Sequence, residues 1–404
     1  MKKIAILAMS LLAVGSVSAQ KQLVKEVERA LKANNETYPT EIQKLKPAFT
    51  NEETAKDPNT YFVAGKGAFD FYDYQNVYVQ MGKNVDKKQL GTAVLDGYGY
   101  LMQALPLDSI PNEKGKVKPR YSGKAIDMIK NHYNEFNNAA LYFWEAQDYG
   151  DAVKAWQFVI DLPNDPRFVK AGLKAPEDTI VSEIIFNMGI GNSLNNNNEA
   201  ALKCFKDAIA RGYTKKNAYD YAISVASQLQ NVEEMAKIAE MAYPIYGKED
   251  SRYIGYMINN FIDKKEFVKA DELLDKYIAA DPNNGQLYFV KGVLLDNEGK
   301  GDEALQAFQK SIQLDDKNAR AMFQLGYKYY QKALEIDQNE SANMSNAEYK
   351  DLRTNKIDPL LRQASEYIEK AYALDNELSE ARSALRNIYY ILNDEENLKR
   401  VEAM

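Results

Sequence analysis

Small residues stand at equal steps of 34 along the second half of the chain: Ala236, Ala270 and Ala304. The residues around them repeat in kind. Gly292, Leu295, Gly299, Ala304, Phe308, Ser311 and Asp316 answer to Ile258, Phe261, Lys265, Ala270, Leu274, Tyr277 and Pro282 one step back. Two steps back stand Ser224, Ser227, Asn231, Ala236, Glu240, Tyr243 and Lys248. A fixed period of this length confines a chain to a stack of similar units, none of which buries its apolar face alone. Within each half-unit the apolar residues recur at three and four, the spacing of one helical face. Polar turns such as 297–302 join the halves. Asp281-Pro282-Asn283-Asn284 separates one unit from the next, because proline there cannot continue a helix. Each unit therefore reads as an antiparallel helix pair. Gly292 and Ala304 are small where the two helices of a pair cross closely, since larger residues would push the backbones apart. A compact helical bundle is the alternative fold, but it gives no reason for two equal steps of 34. No strands are expected.

The pattern extends both ways. Ala201 lies 35 residues before Ala236, Ala152 lies 49 before Ala201, and Ala364 lies 60 after Ala304. Units are placed to start near 133, 182, 217, 251, 285 and 319, with a last helix near 379. The array covers 121–404, and residues 20–120 are divergent helical repeats in which Tyr61-x2-Ala64-Gly65 and Ala93 mark one pair of helices. Proline-rich stretches at 106–120 and 162–181 read as loops, and the polar stretch 336–357 extends or interrupts the 319 unit; insertions in the array are thus expected near 162–181 and 336–357. Asp220 and Glu240 stand where larger apolar groups are usual, so the 217–250 unit is expected to be irregular.

These residues resemble the tetratricopeptide repeat family, with its W-x2-L-G-x2-Y, then A-x3-F, then P pattern over 34 residues. The carriers of the resemblance are Met322-x2-Leu325-Gly326-x2-Tyr329, Ala304-x3-Phe308, Ala201-x3-Phe205 and Ala152-x3-Trp156. The resemblance implies an all-α, right-handed superhelical solenoid whose first helices line a concave groove that binds protein or peptide. Carried onto this chain, the groove slots fall on Asn134, Asn137, Leu141, Trp144, Phe186, Ile190, Tyr221, Val225, Arg252, Asn259, Phe289 and Val293. They continue to Arg320, Phe323, Tyr327, Tyr330, Asn387 and Tyr390. Tyr and Trp suit recognition because they offer rigid area with a polar handle. The same rings at helical spacing also serve as packing between units, and both readings stand at this point. The lysine slot of the subtype that clamps a C-terminal carboxylate is filled by Gly255, Phe289 and Phe323, so that tail is not expected as a ligand.

Composition narrows the chemistry. The 404 residues include one histidine, His132, and one cysteine, Cys204. Neither a His-based zinc site nor an internal disulfide or Cys-cluster site can be built from them. His132 reads as a surface or capping residue near a helix start, and Cys204 as a small buried hydrophobe. Gly65-Lys66-Gly67 and Gly189-Ile190-Gly191 lack the rest of any phosphate-binding motif and read as small residues at helix crossings. Asp281–Gly285 lacks the alternate ligands of a calcium loop. No cofactor, metal or enzymatic activity is expected. A glycan-binding protein of the cell envelope is the second reading, since aromatic grooves also stack on sugars.

At the N-terminus, Lys2 and Lys3 precede the apolar run Ile4–Val14 and the small residues Val17-Ser18-Ala19. This reads as an export signal, residues 1–19, cut after Ala19. No cysteine follows to carry a lipid, and no second long apolar stretch suggests membrane insertion. Removing the signal takes the net charge from −7 to −9, which disfavours nucleic acid and anionic membrane surfaces. The expected protein is exported, periplasmic or outside the cell, and a scaffold.

Overall fold

The computed structural model describes residues 19–112, 114–250, 252–341 and 344–403. The stretch read as an export signal, up to residue 18, lies outside them. Among the described residues the chain is helical with no strand. No helix of these is long and apolar enough to cross a membrane. The chain divides into two compact units, residues 1–225 and 226–404.

In the first unit, α1 (19–33) and α2 (Tyr38–Thr50) lead to the pair α3 (Pro58–Gln80) and α4 (Lys87–Asp108). Then come α5 (Ser122–Asn131), the pair α6 (Glu135–Glu145) and α7 (Tyr149–Asp161), the short α8 (Pro166–Lys170), and the pair α9 (Asp178–Leu194) and α10 (Asn198–Ala210). Helix α11 (Lys216–Gln228) carries the division between the units. The second unit continues with α12 (Val232–Tyr246), then the pairs α13 (Arg252–Asp263) with α14 (Phe267–Ala280) and α15 (Gly285–Asn297) with α16 (Gly301–Leu314). It ends with α17 (Ala319–Glu340), α18 (Asn346–Leu352), α19 (Asp358–Leu374), α20 (Ser379–Leu392) and α21 (Glu395–Glu402). Every expected unit start thus falls within a few residues of a helix start.

Local chemistry explains the repetition. Helix starts are capped by Asp or Asn side chains that accept a hydrogen bond from a free backbone N–H: Asp86 from Gln89, Asn231 from Glu234, Asn284 from Gln286, Asn318 from Ala321. The turn inside each pair closes through one left-handed residue. Asn196, Gln230, Lys265 and Gly299, with φ of 58°, 55°, 56° and 77°, recur at the repeat spacing, and Gln147 and Asn393 do the same in their own pairs. The corner between pairs also recurs. Asp281, Asp315 and Asp375 each end a helix with φ near −143° and donate their N–H to the carbonyls of Tyr277, Ser311 and Ala371.

Packing follows the small residues. Ala152, Ala201, Ala270, Ala304 and Ala364 are fully buried. A Cβ added to Gly189 would stand 2.6 Å from the ring of Phe205, and one added to Gly292 would stand 2.5 Å from Phe308. Both rings are fully buried, so the glycine is the seat into which the second helix sets its aromatic.

The first core runs from Val24 to Met188, on both sides of residue 120. One expectation changes. The 217–250 unit is regular: α11 and α12 have 13 and 15 residues, and Glu240 points to solvent while Ile238, Ala239 and Ala242 are buried. The stretch 336–357 is mostly helical, because α17 runs on to Glu340 and Ser345 opens α18 with a capping box to Glu348. The remaining loops are tied down. Asp108 accepts hydrogen bonds from the N–H groups of Arg120, Tyr121 and Ser122 and from the Ser122 hydroxyl, which closes the 109–121 loop against α5.

Candidate functional site

Helices α6 and α9 present matching stripes with the spacing of one helical face. On α6 and the turn before it these are Asn134, Asn137, Asn138 and Leu141; on α9 they are Ile180, Glu183, Ile184 and Asn187. The stripes face a cleft of about 540 Å³ with Tyr133, Trp156 and Val159 at its base and Pro176 at its edge. Leu141 and Ile180 are 46% and 49% exposed, so each stripe leaves one large aliphatic open on the cleft. The base is fixed. The Tyr133 hydroxyl donates to the Val159 carbonyl at 2.6 Å, and the Trp156 indole N–H donates to Asn137 Oδ1 at 3.0 Å. That second bond sets the Asn137 amide so that its NH2 is the end left for other partners. Asn138 is oriented in turn by donating to Glu135 Oε2 at 2.8 Å. Glu183 is the one carboxylate lining the cleft, and Lys215 lies 3.7 Å from it.

Asn134 and Asn137 line this cleft together. Phe186 is corrected: it is 4% exposed, enclosed by Phe205, Tyr213 and Tyr221, because its side of α9 packs on α10 and on the approach to α11. Trp144 is half-buried against Tyr149 and Trp156, within its own helix pair. Tyr221 is 45% exposed yet lies nearly parallel to Phe205 at 5.7 Å. Val225 is buried.

In the second unit Asn259 lines a smaller cleft of about 280 Å³ with Val232, Met235, Tyr256 and Ile262. Phe323, Tyr327 and Tyr330 form a half-buried ladder of rings along α17, with centroids 5.8 and 6.0 Å apart. Phe289 packs on Phe308, 6.0 Å away. Arg252 and Arg320 are exposed, and Arg252 is paired with Asp250. Tyr390 is 73% exposed and Asn387 lines a cleft with Arg382 and Arg386. These second-unit slots do not form one constellation; they divide between ring packing and separate clefts.

Reasoning from residues missed Ile180, Glu183, Ile184 and Asn187. Their spacing is the same as that of the α6 stripe, and Pro176 just upstream was the signal that α9 begins early.

His132 is not at a helix start. It caps the C-terminus of α5, with its side chain 12% exposed and its ring stacked on Phe69 at 4.1 Å. Cys204 is half-buried beside Asn192, and burial pushes its thiol up from its ordinary value. Among the described residues no group of three or more His, Cys, Asp or Glu could hold a metal ion.

The fold and the cleft define an all-α helical-repeat protein whose hairpins resemble tetratricopeptide units. No family model matches the chain, and no curated protein matches it. Among solved structures it is similar to a human IFIT1 dimer with m7Gppp-AAAA, at 14% identity and a TM-score of 0.39, covering 79% of this chain and 68% of that one. It is also similar to YrrB, described as a TPR protein with an unusual peptide-binding site, at 21% identity and a TM-score of 0.30, covering 52% and 97%. A TPR repeats protein from Bacteroides fragilis matches at 15% identity and a TM-score of 0.31, covering 64% and 98%. The fold assignment rests on the helix pairs themselves.

Proposed function

We propose that this chain is a non-catalytic protein-binding scaffold that works outside the cytoplasm, and that the cleft between α6, α7 and α9 receives an extended peptide segment. The observation that carries the reading is the pairing of exposed Leu141 and Ile180 with a row of asparagines, one of them oriented by Trp156. Apolar contacts supply affinity, and amide groups match the alternating donors and acceptors of a peptide backbone. The two aromatics at the base, Trp156 and Tyr133, are only 3% and 9% exposed. They leave no ring face open for a sugar, which favours peptide over glycan here. A non-catalytic role fits the two residues most suited to chemistry: His132 is engaged at both ring nitrogens, and burial holds Cys204 in its thiol form. The export signal read at residues 1–19 supports the location.

A displayed random-peptide library tests the site. Peptides captured by the mature protein should lose about tenfold or more in affinity for Leu141→Glu, roughly the 1.4 kcal/mol of one good contact. Asn187→Ala should weaken them further in combination. Capture that is unchanged in both variants would place the binding surface elsewhere.

A further inference from the structure

The single histidine of the chain sits between two acceptors. Its Nδ1 lies 2.8 Å from the Met128 carbonyl oxygen, and its Nε2 lies 3.0 Å from Asp73 Oδ1. A neutral imidazole carries one N–H and one bare nitrogen. With the N–H on Nδ1, the bare Nε2 would face a carboxylate oxygen, lone pair against lone pair. With the N–H on Nε2, the bare Nδ1 would face the carbonyl. Only the imidazolium, with a proton on each nitrogen, satisfies both contacts.

The surroundings agree with a positive charge. His132 caps the C-terminus of α5, where the last carbonyls concentrate negative potential. The charged groups that face it are Asp73 from α3 and Glu135 from α6, both acids, and α5 contributes the Met128 carbonyl. From α3 the ring is also met by Phe69, nearly parallel, and by Tyr72, edge-on at 6.4 Å. The Tyr72 hydroxyl is itself hydrogen-bonded to Glu135. One small ring thus joins α3, the end of α5 and the start of α6, in the turn that also carries Tyr133 and Asn134.

We propose that His132 is a proton-dependent latch: protonated, it ties the α5–α6 turn to α3 through Asp73, and on losing its proton it gives up that tie and loosens the turn. The latch is independent of the peptide-site reading and operates with no ligand bound. Burial pulls the imidazole's affinity for protons down, but the bonds to Asp73 and Met128 outweigh it, and the net displacement is upward from 6.5. A group whose folded value is raised contributes stability that is complete below its unfolded value. That contribution is lost as pH rises through the folded value.

Because the chain holds no other histidine, the imidazole of 15N-labelled mature protein gives one unambiguous set of signals. At about pH 7 both ring nitrogens are expected at the imidazolium position, with a titration midpoint above the ordinary value. One protonated and one bare nitrogen at that pH, or a midpoint at or below the ordinary value, would overturn the latch. Thermal melts provide the second arm. The wild-type melting temperature should fall between about pH 6 and about pH 8.5, whereas Asp73→Asn should hold level, since its amide can donate to bare Nε2. Equal pH slopes in the two proteins would also overturn the proposal. If Asp73→Asn fails to fold, the wild-type spectrum decides alone.

Discussion

At residue scale, the most demanding positions are those where nothing larger fits. Gly292 receives Phe308 with no room for a side chain, so Gly292→Val should cost about 1–3 kcal/mol in chemical denaturation, as overpacking does. Ala270 is fully buried at the crossing of its pair, and Ala270→Glu should cost several kcal/mol, because the charge has no partner there. A melting temperature unmoved by that change would refute the register. Asp108 makes the complementary prediction for acid. Burial works to raise its carboxyl, yet the N–H groups of Arg120, Tyr121 and Ser122 and the Ser122 hydroxyl outweigh it and hold it below the usual range. Its contribution is present above the unfolded carboxyl value and is lost as pH falls through the lower folded value. Asp108→Asn should therefore flatten the acid limb of a melting-temperature profile and free the 109–121 loop for proteolysis.

At the scale of the element, the helix pairs obey their turns. Lys265 adopts a left-handed backbone that a side chain resists by roughly 1–2 kcal/mol, while glycine pays less than that in chain freedom. Lys265→Gly should stabilise the protein by about 0.5–1 kcal/mol in urea melts, and the same change one residue later should not. These turns also show what could be read beforehand. Gly299 announced its turn, but Gln230 and Lys265 did not, because nothing in a glutamine or lysine marks a positive φ. Lys265 was recoverable only from the 34-residue step that links it to Gly299, and a second step lands on Asn231, one residue past Gln230. The helix starts were legible for the same reason: a small residue and a polar cap recur with the period. The side of each helix facing solvent was less legible. Phe186 and Asn187 are adjacent, and only the packing of Phe205 and Tyr213 decides that the ring goes inward and the amide lines the cleft. The capping box at Ser345 and Glu348 was present in the residues and outweighed by the polar look of the stretch around it.

At the scale of the whole molecule, each compact unit holds a large cluster of buried side chains. One continuous cluster runs from Val24 to Met188, and another from Ala304 to Val401. In a repeat protein each hairpin gains stability from its neighbours alone. A core lesion such as Ala364→Glu should therefore speed amide exchange around α17–α20 while leaving protection in α3, α4 and α6 unchanged, a result that mass spectrometry resolves segment by segment. Uniform loss of protection along the chain would instead mark a single cooperative fold.

The recurring corner at Asp281 and Asp315 has a consequence for how such a chain can lengthen. Both residues leave their helices with the same backbone turn and the same donated N–H. A segment cut at these two seams begins and ends in interchangeable joints. Duplicating or excising it splices like to like, with no new turn to invent, so the gene can change the number of hairpins while the flanking helices keep their phase.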